Sequence, residues 1–275
     1  MLTLIIEKCW RKQLTKDLNN MKSKIGIVLS GGGARGIAHL GVLKALEEFG
    51  IKPSIISGTS AGAIAGAFYA AGYSLNEIKK IVEQNEVFNF SNILIKKQGI
   101  FAMKGFEKMY QTYFTTNSFH DLKIPLHVAA TDILKGETVY FSSGNLSMAL
   151  MASSCIPVVF QPVSFNGTYY VDGGVLNNFP IEPLINQCDI IIGSHVNSIR
   201  KEVNEIHMKD IVDRSFHLAL SNSVKNKISN CNLFIEPPNM SQYSIFDIKK
   251  SDEIFEYGYT CTKNMEKEII ELLAK

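Results

Sequence analysis

Nowhere in these 275 residues does an apolar run approach the roughly 18 residues that span a bilayer as a helix, so no transmembrane segment is expected. Cysteine is sparse and scattered. Cys9, Cys155, Cys188, Cys231 and Cys261 are odd in number and include no CxxC pair. That pattern argues against a disulfide framework and implies reduced, buried thiols of a cytoplasmic protein. A dominant charge is also missing: the net charge is only +2, so nothing global points to nucleic acid. Repeats, low-complexity stretches and a composition break that would mark a linker are absent too. One large domain over 22–275 is therefore expected, with an apolar fraction of 46% to fill its core. No cluster of His, Cys, Asp or Glu calls for a metal, and no organic cofactor is expected.

The first 21 residues stand apart from that domain. Met1 to Ile6 is too short for a signal-peptide core and is followed, not preceded, by Lys8, Arg11 and Lys12, which argues against export. Two readings stay open for this basic arm. Leu4, Ile5, Cys9 and Trp10 form the apolar side of an amphipathic segment that touches a membrane surface, or the arm is an incidental extension ahead of Met21.

What is present from residue 24 onward is an alternation of short apolar runs and longer helical patterns. Ile25 to Leu29 reads as a buried strand, Ile37 to Phe49 as a helix stopped by Gly50, Ile51 to Ile56 as a second strand and Ala61 to Ala71 as a small-residue helix. Fully apolar strands joined by helices predict a mainly parallel sheet with both faces covered, an α/β fold. Helices are predicted over 75–84 and 106–114, strands over 126–130 and 138–142, a helix over 147–154, and a hairpin around Asn166-Gly167. Later come strands at 190–193 and 233–236 and helices at 207–229 and 252–273. Between them, 87–104 mixes aromatics with Lys96, Lys97 and Lys104 without clear period. It reads either as a loop buried on the body or as a lid, within a substrate-selecting region 85–120.

Two glycine-bracketed loops lie at the ends of the first two strands. Gly31-Gly32-Gly33-Ala34-Arg35-Gly36 satisfies the GxGxxG of a dinucleotide site. That reading needs a carboxylate at the end of the second strand to hold a ribose hydroxyl, and Ile55-Ile56-Ser57-Gly58 offers none. What stands there is Gly58-Thr59-Ser60-Ala61-Gly62, a GxSxG between a strand and a helix. In a nucleophile elbow, Gly58 and Gly62 leave clearance for a strained serine, and Ala61 adds an amide N–H at the helix start. The Gly31–Gly36 loop then suits an oxyanion hole, because unhindered backbone N–H groups stabilise charge on a carbonyl oxygen. Arg35 has two readings, a clamp on backbone carbonyls or a contact for an anionic headgroup. For the base, Asp172, followed by Gly173 and Gly174, is able to approach another loop closely. His195 offers a rival Ser60–Asp172–His195 triad, and spacing does not choose between them.

With these motifs in their order, the chain resembles the patatin-like phospholipases, in particular their short bacterial members. The likeness covers roughly 22–240 and extends to Ala130-Thr131-Asp132, Ala152-Ser153 with Ile156-Pro157, and Asn177-Asn178-Phe179-Pro180. The resemblance implies a three-layer α/β/α fold and a Ser60–Asp172 dyad without histidine, acting on lipid or acyl-ester substrates. The expectation of peripheral contact with a membrane surface comes from the basic arm and the 87–104 segment. The competing reading is a lipid-sensing or regulatory protein that keeps the dyad but turns over little.

Overall fold

The computed structural model describes residues 23–85, 99–157, 159–198 and 224–274. The N-terminal arm, most of the candidate lid, and most of the helix expected at 207–229, with His207 and His217, lie outside them. An eight-stranded sheet runs in the order β5-β6-β3-β2-β1-β7-β8, with β4 paired to the outer edge of β3. Its strands are β1 (Ile25–Leu29), β2 (Ile55–Thr59), β3 (Leu126–Asp132), β4 (Glu137–Phe141), β5 (Val163–Phe165), β6 (Thr168–Asp172), β7 (Ile190–Ser194) and β8 (Leu233–Ile235). The central pairs β3–β2, β2–β1, β1–β7 and β7–β8 are parallel. The pairs β3–β4, β3–β6 and β5–β6 are antiparallel. The mainly parallel α/β expectation is thus met, with one antiparallel end.

The helices are α1 (Ile37–Glu48), α2 (Ala61–Ala71), α3 (Leu75–Gln84), α4 (Gly99–Tyr113), α5 (Leu146–Ser153), α6 (Ser251–Lys263) and α7 (Glu266–Leu273). Strand side chains alternate between two apolar cores. Ile27, Leu29, Ile56, Ile192 and Ile235 bury against the helices, while Val28, Ile55 and Ile191 bury on the other face with Phe179, Ile181, Leu184 and Val224. A side chain on either face meets apolar cover, which is why these strands read as continuous apolar runs.

Local signals fix most boundaries. Ser74 and Glu77 close a capping box at the start of α3, with Ser74 N–H donating to Glu77 Oε2 at 2.8 Å. Asn166 and Gly167 both adopt positive φ in the β5–β6 turn. Three expectations shift. The second strand begins at Ile55, not Ile51, because its first rung to the next strand is the Ile56 N–H, donated to the Pro125 carbonyl at 2.9 Å. α4 starts at Gly99, inside the stretch read as a loop; Met103, Phe106, Tyr110 and Tyr113 lie along one apolar stripe that packs on the core. The last helix is two helices, since α6 turns Ile254 toward Ala38 and Ile37 while α7 buries Ile269 and Leu273 in the main core.

α1 and α6 meet backbone to backbone. A Cβ at Gly41 would run into the Phe255 carbonyl oxygen, and one at Gly258 into that of Ala38. Gly258→Ala gains helix propensity of about 1 kcal/mol, yet overpacking costs typically 1–3 kcal/mol and more where backbone must move. The expected outcome is a net loss of about 2 kcal/mol in urea unfolding. Unchanged or increased stability would contradict this packing.

Candidate active site

The site forms where β3 changes partners. Thr59, the last residue of β2, lies opposite Ala129. Asp172, the last residue of β6, lies opposite Ala130. β4 holds the other edge of β3 along Val128–Asp132, so β2 and β6 must use the same edge in succession. Ser60 and Asp172, 112 positions apart in sequence, thereby come to neighbouring levels of one strand edge.

Ser60 occupies the turn between β2 and α2 with φ 52° and ψ −121°. A non-glycine residue there stores strain of order 1–3 kcal/mol. The surrounding glycines make the turn fit. A Cβ at Gly58 would stand 2.7 Å from the Ala63 nitrogen, and one at Gly62 would overlap the carbonyl oxygens of Leu29 and Ser30, where α2 crosses β1. Ser60 N–H donates to Ser153 Oγ at 2.8 Å, and Ser153 Oγ donates to the Ala129 carbonyl at 2.6 Å.

Asp172 is buried. Its Oδ1 accepts the Gly174 N–H at 2.7 Å, and the Ser60 side chain lies close enough to its carboxyl to favour the ionised form. Burial pushes its pKa up to about 6, with the Ser60 hydroxyl and the Gly174 N–H opposing that rise. Gly173 lets the backbone pass close to β3, since a Cβ there would strike the Ala129 carbonyl oxygen.

The glycine loop folds into a 3₁₀ turn, Gly33–Gly36, leading into α1. Its amides divide into two groups. Gly31 N–H donates to the Asn178 carbonyl at 3.2 Å, Ala34 N–H to Ile245 at 2.8 Å and Arg35 N–H to Gly32 at 3.1 Å. Gly32 and Gly33 N–H have no backbone acceptor among the described residues. Gly33 takes φ 56°, a left-handed conformation that favours glycine. Gly36 lets the loop touch α2, where a Cβ would come 2.6 Å from that of Ala61. Arg35 is buried; its Nε donates to the Tyr243 carbonyl at 2.8 Å and its guanidinium reaches Asn197 Oδ1 at 3.4 Å. Of its two readings, the carbonyl clamp matches this placement. Asn197 in turn donates to the Gly31 carbonyl. Tyr243 and Asn197 lie far away in sequence with no local motif, so sequence reasoning had no signal for them.

His195 does not join Ser60 and Asp172. Its Nδ1 pairs with Glu236 Oε1 at 2.7 Å, its ring stacks on Phe234, and its buried Nε2 has no partner among the described residues. His39 is buried beneath the loop between Ser194 Oγ and the Ser30 carbonyl, both at 2.8 Å, and burial lowers its pKa to about 4.

An apolar slot opens beside Ser60, Gly33 and Ala61. It is lined by Ile37 and Leu40 from α1, Ile64 from α2, Ile78 and Val82 from α3, and Ile248. No group of His, Cys, Asp and Glu among the described residues has the arrangement of a metal site.

The model of the patatin-like phospholipase family matches residues 27–185, which carry both glycine loops and Asp172. The chain belongs to that family. An uncharacterised NTE-family protein of Mycobacterium bovis is 33% identical over 178 residues, covering 63% of this chain and 49% of the relative. The lysophospholipase NTE1 of Kluyveromyces lactis is 27% identical over 271 residues, 86% of this chain and 18% of that one. The chain thus spans about half the length of the mycobacterial relative and a small part of the yeast one. VipD of Legionella pneumophila matches the fold with TM-score 0.53 at 18% identity, over 92% of this chain and 67% of VipD. Human GIVD cytosolic phospholipase A2 does so with TM-score 0.54 at 11% identity, over 96% and 61%. This patatin-like phospholipase chain therefore shares the family fold.

The raised pKa of Asp172 has a stability consequence. The carboxyl binds its proton more tightly in the folded state than at its ordinary value of 3.8, so its contribution is favourable below about pH 4 and is lost as pH rises through 6. An uncharged Asp172→Asn side chain escapes that loss. The stability of the variant relative to wild type should rise by on the order of 3 kcal/mol between pH 4 and 7. Urea unfolding across that range checks it, and parallel pH profiles would contradict it.

Proposed function

We propose that this patatin-like phospholipase chain hydrolyses acyl esters of lipids, with Ser60 as nucleophile and Asp172 as its general base. The observation that carries the reading is the placement of Ser60 and Asp172 at adjacent levels of one edge of β3, with Ser60 on the wall of an apolar slot. The lysophospholipase name of the yeast relative agrees with a lipid ester as substrate.

In this reading Ser60 Oγ attacks the acyl carbonyl carbon while its proton passes to the Asp172 carboxylate. The negative charge that develops on the carbonyl oxygen is met by Gly32 and Gly33 N–H, which have no backbone acceptor among the described residues, and by the Ala61 N–H at the start of α2. A preorganised donor of this kind is worth about 3 kcal/mol. Collapse of the tetrahedral intermediate expels the alcohol, which takes the proton from Asp172 and leaves an acyl-Ser60 ester. Water, deprotonated by Asp172, then attacks that ester, and the second tetrahedral intermediate collapses to the fatty acid as the leaving Ser60 oxygen takes the proton back from Asp172. A carboxylate of ordinary pKa is a weak base for a serine hydroxyl. Burial that raises Asp172 to about 6 brings it closer to the working pH while leaving most of it ionised at neutrality. The acyl chain lies along Ile37, Leu40, Ile64 and Val82.

Residues 22–275 act as one hydrolase domain in this proposal. No helix among the described residues is long and apolar enough to cross a membrane.

Kinetics on a soluble short-chain ester test the assignment. Ser60→Ala and Asp172→Asn should each lose about 10³-fold or more in kcat, while His195→Ala stays within a few-fold. Below pH 6, kcat/KM should fall about tenfold per pH unit as Asp172 protonates. Wild-type turnover by Ser60→Ala overturns the proposal; a loss of several orders of magnitude in His195→Ala restores the triad.

A further inference from the structure

The ladder between β2 and β3 has a regular set of donors. Ile56, opposite Leu126, donates its N–H to the Pro125 carbonyl at 2.9 Å. In a parallel ladder the same edge donates every second residue, so the next rungs fall from Gly58 to His127 and from Ser60 to Ala129. The last rung is not made directly. Ser60 N–H donates to Ser153 Oγ at 2.8 Å, and that hydroxyl donates to the Ala129 carbonyl at 2.6 Å. A fully buried side-chain hydroxyl from the end of α5 stands in the place of a sheet hydrogen bond.

The same short segment also holds the other partner. Asp172 N–H donates to the carbonyl of Cys155, two residues beyond Ser153, at 2.9 Å. The end of α5 therefore fixes the backbone amides of both Ser60 and Asp172.

We propose that Ser153 is a positioning residue for the Ser60–Asp172 pair, its hydroxyl an inserted rung that sets their separation. The inference rests on the hydrolase reading given above. A direct N–H···O bond would draw Ser60 to about 2.9 Å from the Ala129 carbonyl. The inserted hydroxyl spreads β2 from β3 at the level where β6 joins, with Asp172 opposite Ala130. It also keeps the Ser60 N–H satisfied while that residue leaves the strand for φ 52°. Without the hydroxyl, the Ser60 N–H and Ala129 carbonyl either close on each other or stay unpaired in the core. Closure displaces the Ser60 hydroxyl relative to Asp172, and an unpaired Ser60 N–H loses the restraint that holds it there.

The test uses the full chain with Ser153→Ala, and with Ser153→Thr, which keeps the hydroxyl. On a soluble p-nitrophenyl ester, Ser153→Ala should melt cooperatively yet lose about 10²-fold in kcat, the scale of an ångström-sized misplacement, with KM within about threefold. Ser153→Thr should recover most of the loss. A folded Ser153→Ala with kcat within threefold of wild type overturns the proposal. If Ser153→Ala does not fold, Ser153→Cys takes its place: the near-isosteric thiol should show the same selective loss of kcat, and wild-type kcat overturns the proposal. A wild-type chain that cleaves no ester defeats the hydrolase reading instead. Crystal structures of wild type and the folded variant then decide on geometry. A displaced Ser60 backbone supports the inserted rung, and an unmoved one overturns it.

Discussion

Everything distinctive about this molecule depends on one edge of β3 serving two strands in succession. β2 uses it through Ala129, and β6 takes it over at Ala130. A sheet edge offers one row of donors and acceptors, so the handover requires β2 to end there, and Ser60 is the residue that turns away. It also requires β6 to arrive antiparallel, so that its own last residue, Asp172, meets the turn head-on. The serine and the carboxylate are placed by the sheet edge they share, with the buried Ser153 hydroxyl completing the rung between Ser60 and Ala129.

That placement has energetic costs. Ser60 sits at positive φ, and Asp172 carries its charge in a buried position that raises its pKa to about 6. The close crossings at Gly58, Gly62 and Gly173 hold the strained turn, since a side chain at any of them would collide with backbone. Arg35, Asn197 and Tyr243 hold the glycine loop from behind; Gly33 lines the slot, and the N–H groups of Gly32 and Gly33 have no backbone acceptor among the described residues. Stability is spent at the same few residues that the proposed chemistry uses, which is the usual relation between strain and function.

Much of this was legible in the sequence because the signals are local. The apolar runs of β1 and β7, the small-residue run of α2, the Asn166-Gly167 turn and the two glycine loops each declare themselves within a few residues. The β5–β6 hairpin was legible from that turn as well, but the antiparallel pairing of β4 and β6 with β3 was not, since it depends on which edge of β3 each strand takes. Within the 31–36 loop the six candidates look alike in sequence. In the fold, long-range hydrogen bonds commit the Gly31 and Ala34 N–H groups, a turn bond commits that of Arg35, and Gly36 lies within the 3₁₀ turn. That leaves Gly32 and Gly33 without a backbone acceptor among the described residues. His195 looked eligible by chain order alone; its partner Glu236 comes from the end of a different strand. Ser153 was visible as part of a motif, but its place in a broken ladder exists only once β2 and β3 are side by side.

The central claim is that Ser60 is the attacking group, activated by Asp172. Its most direct test is mass spectrometry of the chain after reaction with an alkyl fluorophosphonate, with the modified peptide sequenced. The account predicts a single adduct on Ser60 that forms far more slowly in Asp172→Asn. An adduct at another residue in a chain that still hydrolyses esters would contradict it.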